Sequence, residues 1–105
     1  MISELKAALD IVDSVLQKAK ASAAQRNRDR VLVAIYKLGD GGRKSVGPEQ
    51  LETQGGFSKS QVLETIEAAE EKDWIIDASS LGGMAWLLKP KAIYYVEGLL
   101  KRQSR

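Results

Sequence analysis

Between Gly47 and Lys89 the hydrophobic period of the chain changes from helical to alternating, and few folds accommodate that order in so short a span. Pro48-Glu49-Gln50-Leu51 opens a brief helix through Gln54, because proline suits the first helical position, where an N–H would go unpaired. Gly55-Gly56 breaks it. Ser58 predicts an N-cap, and Gln61, three residues on, completes a capping box in which each side chain serves the other's backbone N–H. Val62, Leu63, Ile66 and Ala69 then recur at helical spacing as far as Lys72-Asp73. From Trp74 the period becomes two. Trp74, Ile76 and Ala78 alternate with Ile75 and Asp77, and Met84, Trp86 and Leu88 with Ala85, Leu87 and Lys89, across a Ser79–Gly83 turn. That is the pattern of a hairpin.

Helices are expected on both sides of this stretch. Residues 3–23 read as one helix with Ser3 as its cap. Leu5, Leu9, Val12, Leu16, Ala19 and Ala23 form a narrow apolar seam widened by Ala8, Ile11 and Val15. Such a helix is stable only if its face is packed, either on its own domain or against a second copy of the chain. Residues 20–30 are polar and basic, a link or a nearly continuous helix. Residues 28–38 form the next helix, ended by Gly39-Asp40-Gly41-Gly42, since glycine adopts the left-handed C-terminal conformation cheaply. Arg43-Lys44-Ser45-Val46 suits a small edge strand. Pro90 starts a last helix to about residue 102, with Ile93, Val96, Leu99 and Leu100 on one stripe. Tyr94 and Tyr95 flank that stripe about 100° apart, so one of them faces solvent or a partner. Trp74, Trp86 and Phe57 are expected in core and hairpin packing.

A chain of 105 residues holds one modest core. It has no cysteine and no histidine, which excludes disulfides, thiolate or imidazole metal sites, and thiol or histidine catalysis. With no phosphate-cradling glycine motif and no recognisable carboxylate pair, neither an enzyme nor a cofactor or metal site is expected. No apolar run of about 18 residues spans a membrane, and Glu4, Asp10 and Asp13 do not suit a secretory signal, so a cytoplasmic location is expected.

The net charge of +2 hides a strong polarity. Residues 1–17 carry −2, residues 18–44 carry +6 (eight cations against two carboxylates), residues 45–77 carry −6 and residues 78–105 carry +4. Arg26, Arg28 and Arg30 suit either a solvated surface or phosphate contact, since the guanidinium fork fits phosphate oxygens.

Taken together, helix, short strand, helix, glycine turn, helix, hairpin and helix over residues 26–102 resemble the winged helix-turn-helix superfamily, loosely the MarR- or PadR-like regulators. The likeness is carried by Pro48-Glu49-Gln50-Leu51, Gly55-Gly56-Phe57-Ser58, Val62, Ile66, Trp74-Ile75-Ile76 and Leu88-Lys89-Pro90-Lys91. It implies a mainly α fold with a small hairpin, an N-terminal helical arm at 1–25 and a winged domain at 26–105. It also implies that residues 58–72 are a recognition helix. Lys59, Ser60, Gln61, Glu64 and Thr65 would then face bases, with Arg26, Arg28, Arg30, Arg43, Lys44 and Lys89 on phosphates. Leu5, Leu9, Val12, Leu16, Ile93, Val96 and Leu100 would join two chains. The function implied is a small dimeric DNA-binding transcriptional regulator; the alternative is a winged-helix protein–protein interaction module that does not bind DNA.

Overall fold

The computed structural model describes residues 2–102, excepting the side chains of residues 2 and 3, so the expected Ser3 cap lies outside the described side chains. Five helices and one antiparallel hairpin follow in order: α1 (Ile2–Lys18), α2 (Ala23–Leu38), α3 (Pro48–Thr53), α4 (Lys59–Glu71), β1 (Ile75–Asp77), β2 (Trp86–Leu88) and α5 (Pro90–Arg102). The chain is mainly helical, with a small two-stranded sheet.

Residues 3–23, expected as one helix, are split between α1 and α2. The N–H of Ala21 bonds the Leu16 carbonyl at 3.0 Å and that of Lys20 the Gln17 carbonyl at 3.1 Å. These two bonds make the closing motif normally built on glycine, here with Lys20 at φ 56°. Ser22 then caps α2, its hydroxyl accepting the Gln25 N–H at 3.1 Å. The second helix therefore begins five residues before Arg28, and Arg26 and Asn27 are helical.

The far end of α2 closes where its sequence implies, but the left-handed position falls first on Asp40, at φ 54°, with Gly41 after it, while Gly39 keeps a negative φ. Gly39 is required there by space: a Cβ would sit 2.5 Å from the Lys44 carbonyl oxygen and 2.8 Å from that of Ile35. The expected strand at 43–46 shrinks to one residue, Val46, whose N–H and C=O both bond Trp86 at 2.9 Å. Trp86 thus lies between Val46 and Asp77 and is buried. The capping box of α4 forms as expected, with Gln61 N donating to Ser58 Oγ at 3.2 Å and Ser58 N to Gln61 Oε1 at 2.8 Å. Gly55 admits the Phe57 ring, which would lie 2.6 Å from a Cβ there.

One continuous core joins all of this. Leu5, Leu9, Val12 and Leu16 of α1 are buried with Leu32 and Ile35 of α2 and Val96 and Leu99 of α5. The seam expected between two chains is therefore spent within one. Leu5, Leu9, Val12, Leu16 and Val96 have no free face for a second copy, and Ile93 and Leu100 pack partly against the same core. The hydrophobic pattern was satisfied intramolecularly because the reversal at residues 19–22 folds α1 back along α2. Phe57 and Trp86 are core residues, while Trp74 is half-buried.

Candidate nucleic-acid interface

Two helix beginnings meet at one end of the molecule. Gln61, in the first turn of α4, donates through Nε2 to Asn27 Oδ1 in the second turn of α2 at 2.7 Å. Its Oε1 is meanwhile held by the Ser58 N–H, so the side chain joins the cap of one helix to the flank of another. The end of α1 completes this region: Asp13, Gln17, Arg26, Asn27, Arg30 and Gln61 surround a cavity of about 470 Å³. Lys59 and Ser60 are exposed beside it.

The expected site residues do not all converge here. Arg26 is exposed and Arg30 half-exposed at this cavity, and Arg30 is ion-paired with Asp13. Arg28 points elsewhere. Its Nη2 lies 2.9 Å from Asp29 Oδ1, its Nε donates to the same oxygen at 3.0 Å, and its guanidinium carbon sits 5.4 Å from the centroid of the Trp74 ring. Asp29 is wholly buried and its other oxygen accepts the Tyr95 hydroxyl at 2.7 Å. Burial pushes the Tyr95 phenol above its usual pKa, and the hydrogen bond to Asp29 pushes the same way.

Arg43 and Lys44 are exposed at the opposite end of α2. Arg43 shares a concavity there with Tyr36, Lys37, Asp40 and Glu97. Roughly 18 Å of helix, at about 1.5 Å per residue, separates Arg26 from Leu38, so these two cations stand far from the Gln61–Asn27 end of the molecule. Lys89 is ion-paired with Asp73, whose carboxyl is held below the usual range first by that hydrogen bond.

Within α4 the expected reading face also needs correction. Thr65 is only 2% exposed and stands with Val62, Ile66 and Ala69 on the core side. Gln61 has one carbonyl and one amide hydrogen already committed. Lys59, Ser60 and Glu64 remain exposed, followed by the exposed Glu67, Glu70 and Glu71. Among the described residues none of these four glutamates is ion-paired. The hairpin tip, Ser79 to Gly83, carries no cation, and its Leu81 is fully exposed.

Two participants escaped the sequence reasoning. Asn27 and Gln17 supply amide groups between the arginines, and the only sequence signal for Asn27 was Ser22 followed by Gln25, a second box-like spacing that starts α2 early. The chemistry available at this end is hydrogen-bond donation to an oxyanion, from guanidinium and amide groups on three helices. No described helix is long and apolar enough to cross a membrane. Compared with known proteins, the chain matches no family model, no curated protein and no solved structure.

Proposed function

We propose that the chain is a winged helix-turn-helix protein of the cytoplasm that binds duplex DNA as a transcriptional regulator, entering with the first turn of α4. The observation that carries this is the Gln61–Asn27 hydrogen bond, which seats the basic junction of α1 and α2 beside the N-terminus of α4. Arg26 and Arg30 line the cavity there together with Asp13, Lys18 and Lys20 lie at the turn from α1 to α2, Lys59 opens α4, and Glu64 lines the adjoining cavity. The Val46–Trp86 bridge supports the winged reading, since it adds a third strand position to the hairpin in the order that fold uses. Lys59 and Ser60 are the base-facing candidates, and Arg26 and Arg30 the phosphate contacts. The glutamates further along α4 would repel a helix laid flat in the groove, so the proposed approach is by its tip. A two-fold dimer belongs to this proposal only on surfaces other than the α1 seam; Tyr94, 81% exposed on α5, is the prominent aromatic left outside.

The test is fluorescence anisotropy of a labelled duplex of mixed sequence. Binding is expected at about 50 mM salt and should collapse by about 200 mM, because non-specific affinity is mainly counterion release. A flat signal at the lower salt would remove the reading.

A second reading, a protein-interaction module, is favoured by the four exposed glutamates of α4, which have no ion-pair partner among the described residues, and by the exposed Ile76 and Leu81 of the hairpin. Loss of sequence preference in a Lys59→Ala, Ser60→Ala double variant would count against it.

A further inference from the structure

We infer that Asp13 is an internal stand-in for phosphate: the cavity among α1, α2 and α4 is a phosphodiester site in which Asp13 occupies Arg30 until a nucleic-acid backbone displaces it. This rests on the duplex-binding reading and names how that same site is regulated.

Arg30 stands between an anion and an aromatic ring. Its guanidinium meets the Asp13 carboxylate through Nη1, and it lies 5.9 Å from the centroid of the Phe57 ring. Both partners of the pair are partly open, the arginine side chain 32% and the aspartate 42% exposed. The guanidinium is thus flanked by an aromatic ring, while it meets an anion that is open to water. A carboxylate and a phosphodiester offer the fork the same pair of anionic oxygens. An exposed ion pair of this sort contributes little to stability, so exchanging one oxyanion for another is nearly neutral for the fold.

The rest of the cavity suits the incoming group better than the resident one. Arg26 lies one helical turn from Arg30 on the same side of α2, and among the described residues it has no ion-pair partner. The Asn27 side-chain carbonyl is taken by Gln61, which turns its amide N–H groups toward other acceptors. Gln17 adds another amide from α1. A cavity of about 470 Å³ has room for a phosphate and its ester oxygens. Asp13 satisfies only one of the two arginines.

Displacement leaves a free carboxylate that recruits a cation from solution. In the wild-type protein this uptake offsets part of the ion release that drives binding. Removing the carboxylate removes the offset.

The experiment compares Asp13→Asn with Asp10→Asn in the full chain, titrated with the labelled duplex over a range of salt. Asp10 is exposed on the same helix, so its variant reports the general loss of one negative charge. Asp13→Asn is expected to tighten binding several-fold beyond Asp10→Asn and to steepen the log–log salt dependence by up to about 0.9, the release expected per phosphate. Adding Arg30→Ala to Asp13→Asn should abolish the extra gain. Circular dichroism of each variant establishes that it is folded. Equal effects of Asp13→Asn and Asp10→Asn, or no gain over the wild type, would overturn the inference and leave the duplex reading intact. Duplex bound by neither variant nor wild type would overturn both.

Discussion

Two aspartates each hold an arginine of α2, one inside the molecule and one at its surface. Asp29 is buried, and both its oxygens are engaged, one by Arg28 and the other by the Tyr95 hydroxyl. Trp74 lies against the Arg28 guanidinium on one hand and within 5.0 Å of the Tyr95 ring on the other. Asp13 holds Arg30 in a pair open to solvent. The two arginines stand two residues apart and have the same charge. What separates them is desolvation: a carboxylate taken from water must be fully paired, so its arginine is fixed, whereas a pair left in water can exchange partners at little cost. Arg28 is therefore part of the architecture that fastens α2 to α5, and Arg30 belongs to the chemistry at the tip of α4.

The sharpest way to break this comparison is to remove the buried carboxylate. Asp29→Ala removes the buried acceptor shared by the half-buried Arg28 guanidinium and Tyr95 hydroxyl, and a loss of about 3–5 kcal/mol is expected in urea unfolding. Asp13→Ala should cost far less. If the two variants lose similar stability, burial is not what distinguishes the pairs.

Tyr95→Phe probes the same cluster more gently. It deletes one hydrogen bond to a charged acceptor, with about 1.5–3 kcal/mol at stake, and it should alter the alkaline limb. Burial, then the bond to Asp29, raises the Tyr95 pKa in the folded state. Tyr36 is raised likewise, by burial and then by its 2.9 Å hydrogen bond to Glu97. A phenol with a raised folded-state pKa stabilises fully below its unfolded value, about 10. Above that pH the unfolded chain binds fewer protons than the folded one, so stability falls as pH rises through the folded-state pKa. The wild type should lose stability steeply there, and Tyr95→Phe should keep only the part due to Tyr36. An unchanged alkaline slope would mean that Tyr95 is not shielded as its contacts require.

Local signals explain how much of this could be read without coordinates. The box at Ser58 and Gln61, the helix starts at Pro48 and Pro90 and the glycines after Leu38 are each encoded within a few residues, and those helices begin or end where they put them. The alternation from Trp74 to Leu88 marks the hairpin, but its strands shorten to 75–77 and 86–88, and it is Ile75 that is buried and Ile76 that is exposed. The break after Lys18 was hidden because Lys20 occupies a position that glycine normally marks. Thr65 was legible in principle: Val62, Thr65, Ile66 and Ala69 keep strict i, i+3, i+4, i+7 spacing, which places the threonine inside. The destination of the α1 stripe was not legible, since an apolar face looks the same whether its partner is another helix or another chain. Nor was the Asp29–Tyr95 bond, which joins residues 66 apart in sequence. The charge blocks misled in a similar way, because a run of cations along a helix is divided by the helix length between two ends of the molecule.

Ser22→Ala sharpens the comparison from a third side, since Ser22 starts the helix that carries both arginines. Losing a cap hydroxyl costs about 1 kcal/mol. Here it should also loosen Arg26 and Asn27, in the first turns of α2, before Arg28, which the core grips. Amide hydrogen exchange is expected to quicken at residues 24–27 while Val31 to Ile35 stay protected. Exchange that quickens evenly along α2 would show that Asp29 does not divide the helix into a fastened part and a free one.

The smallest effect on stability, and the most telling for function, is expected of Arg30→Ala. The pair with Asp13 is open to solvent, so its loss should change unfolding free energy by no more than about 1 kcal/mol, part of it from the guanidinium over the Phe57 ring. Duplex binding should weaken across sequences alike, with a shallower salt dependence, as expected of a phosphate contact and not of a base contact. Arg28 provides the counterpart. Arg28→Ala should cost more stability, because Asp29 is left buried with one partner, yet leave the salt dependence of the folded protein nearly unchanged. Reversed outcomes, with Arg28 setting the salt slope and Arg30 the stability, would mean that the cluster against Trp74 opens toward the ligand and that the buried and the exposed pair have been assigned to the wrong tasks.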